Sequence, residues 1–214
     1  MKASQALSGE IQLDKLLMRL MQVALEKAEA ETGTLILIDG EKMAIAARCF
    51  RGHPGVSSTP TSKIVPPQCN FQAIPIEALP STSDREVPLS VIDYVKRTQT
   101  PLMLNQTIAI RGGTFARDPY LLQRQPKSLL CLPMLERGTL KGMIYLENNT
   151  TIGAFAGDRL EVLELLATQA AISLENAQLY DRIEEYSRTL EQKVRSRTQK
   201  LQQEIRVRVQ AEAA

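Results

Sequence analysis

The sequence predicts an α+β fold: an antiparallel sheet built from hairpins, followed by a long C-terminal helix. Three observations carry this. Two pairs of short apolar runs meet at Asp39-Gly40 and at Arg137-Gly138, the tight-turn dipeptides of hairpins. Hairpins outnumber crossovers in the element order, which places the chain in the α+β class rather than α/β. From Asp158 to the C-terminus, apolar residues recur at steps of three and four, the spacing of a helical face.

Residues 10–31 form an amphipathic helix. Leu13, Leu16, Leu17, Leu20, Met21, Ala24, Leu25 and Ala28 make its broad apolar face, and Gly33 ends it. Thr34–Asp39 and Met43–Phe50 are the strands of the first hairpin. Residues 51–70 carry Gly, Pro, Ser and Thr without a period and read as a long loop. Phe71–Ile76 is a short strand, and Pro80–Glu86 a polar connector. Pro88–Arg97 is a helix with proline at its first position, where the missing N–H costs nothing. Pro101–Asn105 is a short strand, followed by a glycine-containing loop over 106–117. Asp118 then caps a short helix that opens with Pro119 and runs through Arg124. Ser128–Leu135 and Leu140–Glu147 form the second hairpin. Phe155 and Leu160 staple the entry of the last helix, with Asp158 in its first turn.

That last helix carries two apolar rows. One is Leu160, Leu163, Ala167, Ala170, Leu174 and Ala177, and it stops there. The other starts at Val162 and Leu165 and continues through Ile172, Leu179, Ile183, Tyr186 and Leu190, with Gln169 and Asn176 at heptad-compatible positions. A helix of one compact domain needs one buried face. A second face implies a partner helix, so this row is the expected dimer interface of a coiled coil, and Asn176 its register-setting amide. The steps of four from Tyr186 to Leu190 and on to Val194 resemble a stutter, which locally unwinds a coiled coil.

Composition narrows the function classes. Hydrophobic residues make up 43% of 214, enough for a full core, but aromatics are 4% and Trp is absent, so the core is aliphatic. A net charge of +2 is too close to neutral to argue for nucleic acid as a partner. Between Arg182 and Arg208 eight Lys/Arg face four Glu, but the acids are interspersed and no aromatics interleave. No run approaches the roughly 18 apolar residues of a membrane span, and Glu10, Asp14 and Lys15 break any signal-peptide pattern. The expected location is cytoplasmic.

Cys49, Cys69 and Cys131 are odd in number and lack a CxxC spacing, so reduced thiols are expected and a zinc site is not. Cys131 sits in an apolar run and reads as core filler. Cys69 reads as a loop-borne surface thiol, and Cys49 could meet it across the loop. His53, alone between Gly52 and Pro54, is a solvated loop residue rather than a ligand or base. Glu184 and Glu185 are adjacent on an exposed helix and point different ways, which serves solubility rather than acid–base work. No serine elbow, HExxH or phosphate loop occurs. No catalytic or metal-binding residue is expected.

The stretches VPLSVIDYVKRTQTPLMLNQT, DPYLLQRQPKSLLCLPMLERGTLKGMIYLENN and DRLEVLELLATQAAISLENAQLY resemble a GAF domain over roughly residues 10–180. The following EEYSRTLEQKVRSRTQKLQQEI resembles the connector between such domains and histidine kinase cores. More narrowly, the chain is similar to GAF units of large bacterial multidomain sensor kinases with upstream Ser/Thr kinase-like and ATPase modules. The resemblance implies a central antiparallel sheet with helices on both sides and a pocket on one face. It also implies a small-molecule or protein signal as input and a dimeric helical output.

Under that resemblance the loop Asn105–Tyr120 lies over the pocket. Arg111, Gly112, Gly113, Phe115 and Tyr120 are then the candidate ligand-binding residues, with backbone N–H groups and a cation suited to an anion. Bilin-binding relatives use a Cys, commonly beside a His, but Phe115–Gln125 has neither, so no covalent bilin is expected. The Asn-Lys-Phe-Asp-Glu signature of cyclic-nucleotide binders is absent, and no cofactor is predicted.

The expected organisation is a sensory domain over 10–177 and a helical connector over 178–214, dimerising in parallel through the first and last helices, with a downstream kinase core as partner. Lacking a phosphoacceptor His and an ATP site, the chain is not expected to be an enzyme. Three alternatives stand beside this reading: a structural dimerisation module without a ligand, a cysteine-dependent free methionine sulfoxide reductase-like enzyme, and a DNA-binding dimer that uses the basic C-terminal end.

Overall fold

The computed structural model describes residues 3–51, 67–76, 87–105 and 113–212. The elements are α1 (Ala3–Ala28), β1 (Thr32–Asp39), β2 (Lys42–Phe50), β3 (Gln68–Pro75), α2 (Leu89–Thr98), β4 (Leu102–Leu104), α3 (Pro119–Arg124), β5 (Ser128–Glu136), β6 (Thr139–Asn148) and α4 (Asp158–Glu212). The strands form one six-stranded sheet in the order β3-β2-β1-β6-β5-β4. Every pairing is antiparallel. The α+β class and the central antiparallel sheet are therefore as the sequence predicts.

The two hairpins sit where the turn dipeptides place them. Gly40 has φ 60°, and the turn between β5 and β6 has Arg137 at 49° and Gly138 at 76°. Two successive positive φ values match the twist of antiparallel strands. The long strands β1 and β6 meet at the centre of the sheet, and Gly142 lets them approach. A Cβ built there would lie 2.4 Å from the Ile36 carbonyl oxygen.

Each face of the sheet carries its own core. Leu17, Met21, Ala24, Leu25 and Ala28 of α1, with Leu163, Ala167, Ala170 and Ala171 of α4, pack on Leu35, Leu130, Leu132, Ile144 and Leu146. Across the sheet, Val91, Ile92 and Val95 of α2, with Phe115, Tyr120 and Leu121, pack on Ile36, Ile45, Leu129, Cys131, Met143 and Tyr145. The alternation of β6 makes this two-sided packing possible, since its successive side chains serve opposite cores.

A bulge in β2 redistributes that alternation. Leu35 pairs with Ala47 while the adjacent Ile36 pairs with Ile45, leaving Ala46 as the extra residue. Met43 and Ile45 thus join the core under α2 and α3, while Ala47 and Cys49 join the core under α1 and α4.

Several expectations need correction. Helix α1 ends at Ala28, and the left-handed residue after it is Glu29, φ 52°. Gly33 lies in β1 instead, where a Cβ would fall 2.6 Å from Leu25 Cδ1. It is a contact glycine, not a helix stop. Pro88 is the N-cap of α2 rather than its first helical residue. Strand β3 begins at Gln68, so Cys69 lies in the sheet, not in a loop. Cys49 and Cys69 are register partners and are joined by a disulfide, not reduced thiols. Strand register brought together two residues 20 apart in sequence. His53 and the connector 80–86 lie outside the described residues.

Helix α4 is continuous from Asp158 to Glu212. Its first row is buried at Leu163, Ala167, Ala170 and Leu174, as the periodicity predicts, with Leu160 and Ala177 half-buried. On the second row Val162, Leu165, Leu179, Ile183, Tyr186 and Leu190 are exposed, Leu165 at 70%. Gln169 and Asn176 are also exposed, and Ile172 is half-buried. The chain divides into two compact units, Met1–Glu175 and Asn176–Ala214.

Candidate functional site

The sheet face under α2 and α3 collects the polar and aromatic groups from which a site can be built. Strand β6 sends Met143, Tyr145 and Glu147 to this face in alternation, and Glu147 is fully buried. Such a carboxylate requires partners. The Tyr145 hydroxyl donates to Glu147 Oε1 at 2.5 Å, and Thr32 Oγ1, on the paired residue of β1, donates to Oε2 at 3.2 Å. Burial first, and the Glu147 charge second, push the Tyr145 phenol well above its usual range. Tyr120, edge-on to Tyr145 with ring centroids 6.4 Å apart, is raised for the same two reasons. Both phenols are therefore neutral donors, not bases or nucleophiles. Arg48 stacks over the Phe50 ring at 5.3 Å, and its charge acts on Tyr120 in the opposite, lowering direction.

Beside this cluster, Asp118 joins two helices. Its Oδ1 accepts the backbone N–H of Tyr120 at 2.9 Å and of Leu121 at 3.4 Å, capping α3. Its Oδ2 accepts the Ser90 N–H at 2.9 Å, in the first turn of α2. A cleft of about 220 Å³ opens next to it, lined by Ser90, Asp93, Tyr94, Arg97, Thr114 and Phe115. The Phe115 ring packs edge-on against Tyr94 at 5.6 Å. The cleft thus presents one acid, one base, three hydroxyls and an aromatic wall.

The predicted ligand residues divide accordingly. Phe115 and Tyr120 come together in one core and are nearly buried. Gly113 flanks the cleft-lining Thr114, and its carbonyl accepts from Ala116 N at 3.1 Å. Arg111 and Gly112 lie outside the described residues. Sequence reasoning missed Glu147, Tyr145 and Thr32. The period of two along Met143-Tyr145-Glu147 is the one signal that could have found them, but a glutamate at a strand end reads as solvated. Asp118 was found as a cap, and its second acceptor role was not.

Cys131 is fully buried, and burial pushes its thiol up, which leaves it without nucleophilic character. Among the described residues no three His, Cys, Asp or Glu side chains gather as a metal set. No helix among them is long and apolar enough to cross a membrane.

Comparison with known proteins agrees with this architecture. The chain is 48% identical over 95 residues to hybrid signal transduction histidine kinase G of Dictyostelium discoideum, covering 44% of the chain and 3% of that protein. It is 24% identical over 189 residues to the peroxide stress-activated histidine kinase mak3 of Schizosaccharomyces pombe, covering 86% of the chain and 7% of that protein. The chain thus spans a small fraction of the curated relatives it matches. Among solved structures, the blue-light absorbing form of the Thermosynechococcus elongatus PixJ GAF domain aligns at a TM-score of 0.56 and 14% identity, over 83% of this chain and 93% of that one. The GAF region of a putative membrane protein from Geobacter sulfurreducens aligns at 0.54 and 17%, over 80% and 98%. These likenesses concern the fold. The GAF domain family model matches residues 12–174, and the chain belongs to the GAF domain family.

Proposed function

We propose that this chain is the non-catalytic sensory module of a cytoplasmic sensor histidine kinase, a homodimer that relays a small-molecule or protein signal through a helical connector. The observation that carries the proposal is the second row of α4, on which Val162, Leu165, Leu179, Ile183, Tyr186 and Leu190 are exposed. Large exposed apolar side chains recurring at a helical spacing are costly in water and mark an interaction surface. Helical spacing fits that surface to a second helix of the same kind, and Gln169 and Asn176 would set its register. The histidine kinase relatives support a kinase core as the downstream partner.

In this reading a ligand or protein occupies the face under α2 and α3, with Gly113, Phe115 and Tyr120, and with Arg111 and Gly112 as further candidate ligand residues. Occupancy moves the sheet against α4. Lys141 of β6 and Glu175 of α4 form an ion pair that couples the two elements. The shift repacks the Val162–Leu190 row, and the connector over 178–214, with its stutter at Leu190–Val194, relays it to a kinase core. No covalent bilin, cyclic nucleotide or metal enters this mechanism.

The test is sedimentation velocity of the whole chain at micromolar concentration, with Leu165→Glu and Leu179→Glu variants. Both positions are exposed, so helicity by circular dichroism should stay unchanged. A dimer that dissociates in the variants supports the proposal. A wild-type monomer sinks the dimeric output.

A further inference from the structure

The Cys49–Cys69 pair is not part of the site described above. Cys49 belongs to the core beneath α1 and α4, and Cys69 packs against that core from the edge strand β3. The two residues are direct register partners, with Cα atoms 4.0 Å apart. Accessibility differs sharply between them: Cys49 is fully buried, whereas Cys69 is partly open. Among the described residues β3 pairs only with β2, so this bond is the covalent tie of an outer strand to the sheet. Helix α1 packs on β1, β2 and β3, and its last turns contribute Leu25 and Ala28 to the same core as Cys49. Arg51, just after β2, donates to the Leu25 carbonyl at 2.8 Å, which ties the same strand end to α1 a second time.

We propose that Cys49 and Cys69 form a reversible dithiol–disulfide site whose oxidising substrate is a small hydroperoxide, and whose state sets how firmly β3 and α1 are held to the sheet. In the reduced chain the Cys69 thiolate attacks one peroxide oxygen. An S–O bond forms, the O–O bond breaks, and the other oxygen leaves as an alcohol, or as water from hydrogen peroxide, taking one proton. The Cys49 sulfur, held opposite by the register, then attacks the Cys69 sulfur and gives its thiol proton to the departing oxygen. The S–S bond forms, the S–O bond breaks, and hydroxide departs as water with the second proton. Two thiols lose two electrons, and the peroxide gains them. A dithiol reductant reverses the reaction by thiol–disulfide exchange. Cys69 leads because it is the accessible sulfur, and Cys49 resolves because the register holds it opposite. The site lies on the face of the sheet that carries α1 and α4, so it acts on α1 without a ligand on the other face.

The experiment uses the whole purified chain. It is reduced with dithiothreitol, desalted, treated with hydrogen peroxide, alkylated and mapped as non-reduced peptides. The expected result is joint loss of two alkylatable thiols, a linked Cys49–Cys69 peptide, and recovery of both thiols with dithiothreitol under native conditions. Hydrogen exchange should be roughly tenfold slower in β3 and in residues 15–28 of the oxidised chain than in the reduced one. In Cys49→Ser, peroxide should leave a sulfenic acid on Cys69 that dimedone captures. In Cys69→Ser, Cys49 should stay unlabelled. Thiols inert to peroxide in the folded chain, or a bond opened only by denaturant, would overturn the proposal. Identical exchange in the two states would overturn the link to α1, and label on Cys49 alone would overturn the assigned order. The wild-type comparison needs no substituted protein, so a variant that fails to fold leaves the test intact.

Discussion

The Asp118 carboxylate accepts the Ser90 backbone N–H at 2.9 Å while capping its own helix through Tyr120 N, also at 2.9 Å. Pro88, the N-cap of α2, offers no side-chain cap, so Ser90 in the first turn finds its acceptor 28 positions later in the chain. Unpaired N–H groups at a helix start need such an acceptor, and a negative one is favoured by the helix dipole. Asp118→Ala removes both caps in a nearly buried place and should cost about 2–3 kcal/mol. Asp118→Asn keeps one acceptor oxygen and should cost roughly half as much. Urea denaturation of the three proteins checks the order, and equal midpoints would refute the shared cap.

Gly142 should tolerate no side chain. Its Cβ position lies 2.4 Å from the Ile36 carbonyl oxygen, which belongs to backbone and cannot rotate away. Gly142→Ala should lower stability by about 1–3 kcal/mol by forcing β1 and β6 apart. Gly138→Ala is the useful contrast. Space is open there, but φ is 76°, so the expected loss is about 1 kcal/mol and comes from backbone strain. Thermal melts that rank Gly138→Ala as the more damaging change would contradict the packing argument.

Alkaline pH should destabilise the domain through Tyr145 and Tyr120. Both phenols are pushed up in the folded chain, chiefly by burial and then by Glu147, whereas an unfolded tyrosine ionises near about 10. The folded state binds these protons more tightly than the unfolded one. Their stabilisation is therefore complete below about pH 10 and declines as pH rises above it. Tyr145→Phe should flatten that decline. It should also cost about 1–2 kcal/mol at neutral pH, because Glu147 loses its shortest hydrogen bond. Denaturant midpoints between pH 7 and 11 measure both effects.

The Lys141–Glu175 pair is half-buried on both sides, 18% and 25% exposed, and it joins β6 to α4. Solvent screening keeps its contribution modest. Lys141→Met, which retains the aliphatic stem, should cost about 0.5–1.5 kcal/mol. A double-mutant cycle with Glu175→Gln isolates the pair. A coupling energy of zero would remove this contact from the proposed relay.

Much of the fold was legible because it is locally encoded. Asp118-Pro119 opened a six-residue helix because a cap and a fixed φ act within one turn. Arg137-Gly138 turned the second hairpin because only its neighbours must match the turn. The core row of α4 was readable because burial on one face repeats with the helical period. Errors arose where distant chain decided. Gly33 looked like a helix stop, but the closeness of Leu25 and Met21 explains a glycine in β1. The candidate site was legible only in part. Phe115 and Tyr120 were named, whereas Glu147 was not, since its burial depends on which strand lies beside it.

The sequence by itself determined the α+β class, the two hairpins, the short capped helix and the two rows of the last helix. Each follows from periodicity, turn chemistry or capping within a few residues. Only the tertiary structure decided that Ala46 bulges, that Cys49 therefore faces α1 and α4 as the register partner of Cys69, that Asp118 serves two helices, and that Tyr145 and Thr32 enclose the Glu147 carboxylate. Those features depend on strand register and on segments up to 115 residues apart, and a one-residue change of register would move each side chain to the other face.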